Sequence, residues 1–279
     1  MAETCGRILA EAARRSSVCL ADEGKARIAE FVRAQQHPDG GFRGRSGASD
    51  LYYTHFAVQA LLALGEPLPV PALADYLQGF DPDGAMPFVE VACLASVSSA
   101  IHPDRRDDKS LARLARFRTP EGGFNEKMGA REASAYGCFL ALLAYEAQKA
   151  PLPEPEGFIR SAQGMAPSVT TAVAAKVMLL AGLGAAPDPS DADTILGRAS
   201  KRGGFRAAAL APIPDLLSTA TALCALSVLG APFDSLREPC LEFVDGLWHD
   251  NGGFRGHWAD RTADCEYTYY ALLALGVLA

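Results

Sequence analysis

The chain has 279 residues, 49% of them hydrophobic and 21% charged, a makeup suited to a soluble protein with a generous core. A formal net charge of −7 and a pI of about 5.3 argue against a nucleic-acid partner held on a basic face. No stretch supplies the roughly 18 uninterrupted apolar residues of a transmembrane segment, so neither nucleic acid nor a bilayer-spanning helix is expected.

The N-terminal stretch, residues 2–20, mixes acids and arginines inside a helical pattern and does not read as a signal peptide. The seven cysteines (Cys5, Cys19, Cys93, Cys138, Cys224, Cys240 and Cys265) are odd in number, scattered and free of CxxC spacing. Most sit in apolar helical runs and read as buried small hydrophobes of a reducing compartment, so a cytoplasmic location is expected.

Further along, "KARIAEFVRAQQ" (25–36) reads as a short helix with one polar face, followed by "DGGFRGRSGASD" (39–50) and an apolar run ending in Leu-Gly. The same phrase closes the chain: "LEFVDGLWHD" (241–250), then "NGGFRGHWADRTADCEYTYYALLALG" (251–276). "GGF" occurs four times, at Phe42, Phe124, Phe205 and Phe254. The first two intervals, 82 and 81 residues, are nearly twice the last, 49, so each hides a degenerate copy. These copies are residues 77–100 and 161–184, giving six units of some 40–50 residues.

In each unit a half-polar helix precedes a glycine turn and a longer helix apolar nearly all round, as in 134–147 or 219–230. A helix apolar on every side must be buried, while its amphipathic partner faces water. No alternating strand pattern is present. Six buried helices alternating with six half-exposed ones predict one domain, residues 1–279, closed as an inner barrel within an outer barrel. Residues 1–20, with an extra helix outside the repeat, cap or latch that ring. Units one and six become neighbours, so the helix starting at Asp50 is predicted beside the one starting at Asp264, with Tyr53 and Tyr267 at equivalent heights.

The stretch "QQHPDGGFRGRSGASDLYYT" resembles the signature of protein prenyltransferase β subunits and, more loosely, of squalene and other terpene cyclases. The resemblance extends through the repeats over essentially the whole chain and implies an all-α fold, the α/α toroid. It implies an enzyme that takes an isoprenoid diphosphate into a central apolar cavity, for prenyl transfer (zinc-independent here, since the family's metal ligands are missing) or terpene cyclisation, with a partner subunit as a further expectation. The superfamily also holds non-enzymes, so the alternative is a non-catalytic toroid binding a lipid or a partner protein.

If the inner helices run parallel, their N-termini crowd one rim and attract anions. Arg45, Lys127, Arg131 and His257 are the candidate diphosphate ligands there; each could equally pair with acids of neighbouring turns. Asp50, Asp215, Asp264 and Glu266 are candidate acids, bases or Mg²⁺ contacts. Together with Glu90 and Glu132 they also read as ordinary N-cap or first-turn residues. Tyr53, Tyr136 and Tyr267, with Tyr52, Tyr269 and Tyr270, read as core aromatics, some facing a cavity where ring faces would stabilise an allylic cation.

The family's zinc site uses an Asp, a Cys two residues later and a His in the last repeat. Here Asp215 is followed by Leu217, and Tyr267 stands at the histidine position, so zinc is not expected. A rewired site would have to draw on Asp215, His257 and Cys265. The Asp-x-Asp-Asp acid motif of proton-initiated cyclases has its nearest counterpart in "DPDG" (81–84), which reads as a β-turn. His37, His55, His102 and His249 lack metal spacing and read as surface or capping residues.

Overall fold

A computed structural model describes residues 4–80 and 84–279; most of the "DPDG" turn thus lies outside the described residues. Six apolar helices form the inner wall: α3 (Leu51–Leu64), α5 (Phe88–Ile101), α7 (Ala135–Ala147), α9 (Thr170–Gly182), α11 (Leu216–Leu229) and α13 (Cys265–Leu278). Six amphipathic helices lie outside them: α2 (Asp22–Ala34), α4 (Val70–Gln78), α6 (Asp108–Ala115), α8 (Pro155–Gly164), α10 (Ser190–Leu196) and α12 (Asp234–Asp245). Each inner helix packs on the next, and α13 packs on α3, so the ring is closed. No described helix is long and apolar enough to cross a membrane.

The repeated phrase has a shared mechanism. Phe42, Phe124, Phe205 and Phe254 are fully or almost fully buried. The backbone N–H of three of them donates to a threonine hydroxyl at the start of the following inner helix: Phe42 to Thr54 (2.8 Å), Phe205 to Thr219 (2.9 Å) and Phe254 to Thr268 (3.1 Å). In the third unit Cys138 Sγ takes the threonine's place, at 3.3 Å. Each threonine hydroxyl donates in turn to the carbonyl of the capping aspartate, Asp50, Asp215 or Asp264. A buried amide without a partner would cost about 1–3 kcal/mol, so this link fixes how each turn enters its helix.

The turns also hold short ladders that the absence of strand periodicity did not foretell. Two-residue strands β1 (Phe205–Arg206) and β2 (Pro214–Asp215) pair antiparallel, as do β3 (Phe254–Arg255) and β4 (Ala263–Asp264). Helix α12 stops at Asp245, capped by Gly246, because Trp248 already pairs with Phe254 across the turn.

The predicted seam between units one and six is present. Tyr53 packs its ring on Gly44, and Tyr267 packs its ring on Gly256, the same position in the other turn. A Cβ at Gly256 would lie 2.5 Å from the Tyr267 ring, which explains why both turns read Gly-Gly-Phe-Arg-Gly. Across the seam Arg27 donates to the Asp250 carbonyl and stacks over Trp248.

The extra helix α1 (Cys5–Arg15) contacts α3, α7, α9 and α13. It meets them near their C-terminal ends: Cys5 lies at Gly182, and Ala12 lies at Gly276. Glu146, at the end of α7, accepts from the backbone N–H of Cys5 (3.1 Å) and Gly6 (2.7 Å), holding the first turn of α1 in place. The segment expected to cap or latch the ring therefore forms its floor.

Candidate functional site in the barrel

The inner helices leave a cavity of about 550 Å³, within the usual range for small-molecule sites. On α3, Tyr52, His55, Phe56, Gln59 and Leu62 line it, the i, i+3, i+4, i+7 stripe of one helix face. Corresponding stripes on α5, α7, α9, α11 and α13 complete the wall, and the first turns of α1 contribute to the floor. The lining is mainly aliphatic, with rings from Phe56, Tyr136, Phe139, Tyr269 and Tyr270.

At the first turns of α3 and α13 lies a buried acid. Tyr52 donates its hydroxyl to Glu266 Oε1 at 2.8 Å. Burial in this apolar, tyrosine-rich surrounding pushes the Glu266 carboxyl up to about 7, outweighing the Tyr52 hydrogen bond that favours the ionised form. Tyr136 and Tyr270 are close enough to couple to the same charge. Tyr52 faces the cavity and Glu266 stands behind it.

The structure distributes the expected rim residues differently. Arg45 Nε donates to Asp264 (2.7 Å) and its Nη2 to Asp260 (2.7 Å), with the guanidinium 5.5 Å from the centre of the Tyr267 ring. It closes the seam, and two carboxylates already occupy it. Lys127 and Arg131 are exposed, and Arg131 borders a separate surface depression with Arg118 and Glu154. His257 is half-buried, close enough to Asp215 and Asp260 to act on both charges, with its Nδ1 unpartnered. None of these four basic residues lines the cavity.

Among the acids, the capping role is realised. Asp50 accepts from the Tyr52 and Tyr53 amides, Asp215 from the Ser218 amide and hydroxyl, and Asp264 from the Tyr267 amide. Burial raises the carboxyls of Asp215 and Asp264 despite these bonds, while at Asp260 the Arg45 contact outweighs burial and holds it low. In the third unit Ser134 is the N-cap and Glu132 is exposed. Among the described residues no group of three or more His, Cys, Asp or Glu is placed to hold a metal. Cys265 is fully buried, so the rewired set with Asp215 and His257 is not assembled. The candidate Mg²⁺ contacts Asp50, Asp215, Asp264 and Glu266 likewise form no such group of three among the described residues.

Of the expected tyrosines, Tyr136 lines the cavity; Tyr53 and Tyr267 pack on their glycines instead. His55 corrects the sequence reading. It is neither a surface nor a capping residue but part of the cavity wall, and burial lowers its imidazole to about 4, keeping it neutral. His102 does cap α5, and His37 and His249 sit in turns. The sequence signal for His55 was its position three residues after Tyr52 and four before Gln59, one polar stripe inside an apolar helix.

A closed double ring of helix pairs around a hollow apolar barrel, floored by an extra helix, defines an α/α toroid. The chain matches the prenyltransferase alpha-alpha toroid domain over residues 12–150 and 173–279, and it belongs to that family. Among solved structures it is similar to the type II terpene cyclase MstE from Scytonema without ligand, at TM-score 0.60 and 14% identity, covering 95% of this chain and 97% of the other. It is similar also to a variant of that enzyme in complex with its substrate, geranylgeranyl dihydroxybenzoate (TM-score 0.59, 13% identity, covering 96% and 97%). A third is a variant in complex with the product merosterolic acid A (TM-score 0.61, 14% identity, covering 96% and 97%). At such identity the likeness is one of fold. No curated protein sequence matches the chain.

Proposed function

We propose that the protein is a terpene-processing enzyme that takes a prenyl chain into the barrel and cyclises it by protonation. The observation that carries this reading is the buried Tyr52–Glu266 pair beside an apolar, aromatic cavity. With Glu266 poised near 7, a large share of the acid is protonated at neutral pH. In that state the 2.8 Å link can run the other way, Glu266 donating to the Tyr52 oxygen while the Tyr52 O–H faces the ligand.

The Tyr52 proton passes to one carbon of the chain's terminal double bond, whose π electrons form the new C–H bond, while Glu266 gives its proton to the Tyr52 oxygen and is left as the carboxylate. The neighbouring carbon becomes cationic, and the next double bond attacks it to close a ring. Loss of a proton beside the final cation restores a double bond, and a proton returned to the Tyr52–Glu266 pair regenerates the acid, so product and substrate are isomers. The faces of Phe56, Tyr136, Tyr269 and Tyr270 would stabilise the travelling positive charge. Diphosphate-dependent prenyl transfer is supported less, since Arg45 is committed to Asp260 and Asp264.

The test is incubation with C15 and C20 polyenes, carrying diphosphate, hydroxyl or neither, with product analysis by mass spectrometry. Cyclic isomers are expected, lost in Glu266→Gln and declining as pH rises above about 7. Release of diphosphate with transfer to an acceptor would overturn cyclisation in favour of prenyl transfer. Ligand binding without turnover would favour the non-catalytic lipid-binding toroid.

A further inference from the structure

His55 is a polar side chain in the wall of an apolar barrel. Its Nδ1 is buried and makes no hydrogen bond among the described residues. The ring lies against Phe56, 5.1 Å between centroids, and borders the cavity. Four residues on, one turn deeper along α3, Gln59 also borders the cavity and reaches Ser96 of α5 at 3.4 Å. Together these form a polar band across the α3–α5 wall. A polar band in an otherwise apolar wall is costly to keep dry, and a ligand group that hydrogen-bonds to it offsets that cost.

The charges of the cavity narrow what could meet this band. Among the described residues Arg7 is the sole lysine or arginine bordering the cavity, and its guanidinium is bonded to Glu11. The donors at the first turn of α1 are taken by Glu146 and by Thr4. The wall therefore offers hydrogen bonds without a free positive charge.

We infer that the barrel's ligand is a prenyl chain bearing an uncharged hydroxyl, seated with its O–H donating to the His55 ring beside Gln59 and Ser96. The polar group thus sits about 4.5 Å deeper along α3 than Tyr52, at 1.5 Å rise per residue. A chain anchored there must fold back to bring its far end to Tyr52, the conformation that ring closure needs. This inference rests on the barrel being the ligand site, and it deepens the cyclase reading by naming the substrate class.

The test compares binding of farnesol, its methyl ether and the parent C15 hydrocarbon by equilibrium dialysis. The ether keeps the oxygen as acceptor but cannot donate. The alcohol is expected to bind about tenfold more tightly than ether or hydrocarbon, the scale of one hydrogen bond to the polar band. In His55→Phe the difference should vanish while hydrocarbon binding persists. Nitrogen NMR of the unsubstituted protein, which needs no variant to fold, should show the His55 ring signals moving with the alcohol and staying still with the hydrocarbon. Equal binding of alcohol and ether, or still His55 signals in the alcohol complex, overturns the inference and leaves the cavity reading standing. If none of the three binds, the cavity reading falls first.

Discussion

The contact between α1 and α13 can be tested with one methyl group. Gly276 lies in the last turn of α13, and a Cβ there would sit 1.7 Å from the Ala12 carbonyl oxygen and 2.9 Å from the Ser16 nitrogen. An ordinary C···O contact is about 3.3 Å, so in Gly276→Ala the backbone of α1 must move away by about 1.5 Å. Helix propensity pushes the other way, because alanine is favoured over glycine by about 0.8–1 kcal/mol in a helix interior. Overpacking costs about 1–3 kcal/mol, and here the obstacle is backbone that cannot rotate aside. The net should be a loss of about 1–2 kcal/mol, or a fall in Tm of roughly 2–4 °C for a chain of this size. Gly164→Ala, at the end of α8 with nothing within 4 Å of its Cβ, is the control and should be neutral or slightly stabilising. Thermal unfolding followed by circular dichroism gives the midpoints, and limited proteolysis should find earlier cleavage within residues 4–20 of the Gly276 variant. If Gly276→Ala is as stable as the parent and no more cleavable, α1 is not seated on the barrel floor as described.

Deleting residues 264–279 should abolish cooperative unfolding altogether, since α13 closes the ring against both α3 and α11; a soluble monomer that still melts cooperatively would mean the remaining units form an open stack. Arg45→Met should cost about 1–2 kcal/mol in chemical denaturation and Lys127→Met less than about 0.5, because the first leaves Asp264 buried without its cation and the second changes an exposed side chain. Glu266 binds its proton more tightly folded than unfolded, so its contribution to stability is greatest below about 4.5, declines as pH rises towards about 7, and levels off above. Glu266→Gln should remove that slope from a plot of unfolding free energy against pH, and an unchanged slope would show that the carboxyl titrates normally. Elemental analysis of the purified protein should find no stoichiometric zinc, with Leu217 and Tyr267 at the expected ligand positions.

The ring was legible because its causes are local and repeated. Four of the six units bury a phenylalanine beneath a glycine turn, satisfy that residue's amide with a side chain of the next helix, and cap the helix with an acid or serine. Those needs recur in the sequence at nearly fixed spacing, and helices apolar on all sides leave closure as the arrangement that keeps them dry. What the repeat does not encode is which charges meet at the seam. Arg45 and Asp264 are 219 residues apart, and only closure sets them 2.7 Å from one another. Read locally, Arg45 is a basic turn residue at a rim of helix N-termini, so an anion site is the natural expectation; the seam satisfies it with carboxylates of the chain itself. The cavity was obscured for a different reason. A helix that faces a hollow and one that faces packed neighbours are equally apolar, and they differ only in the few polar residues that a hollow admits. His55 and Gln59 mark that difference on α3, as Ser96 does on α5, and each is unremarkable until the helices are set side by side. The same comparison separates the two tyrosines that follow Asp50. Tyr53 fills the space above Gly44, as Tyr267 does above Gly256, whereas Tyr52, one residue earlier, is turned by about 100° around the helix towards Glu266 and the cavity. A single step along α3 therefore separates a side chain that closes the ring from one placed to act inside it.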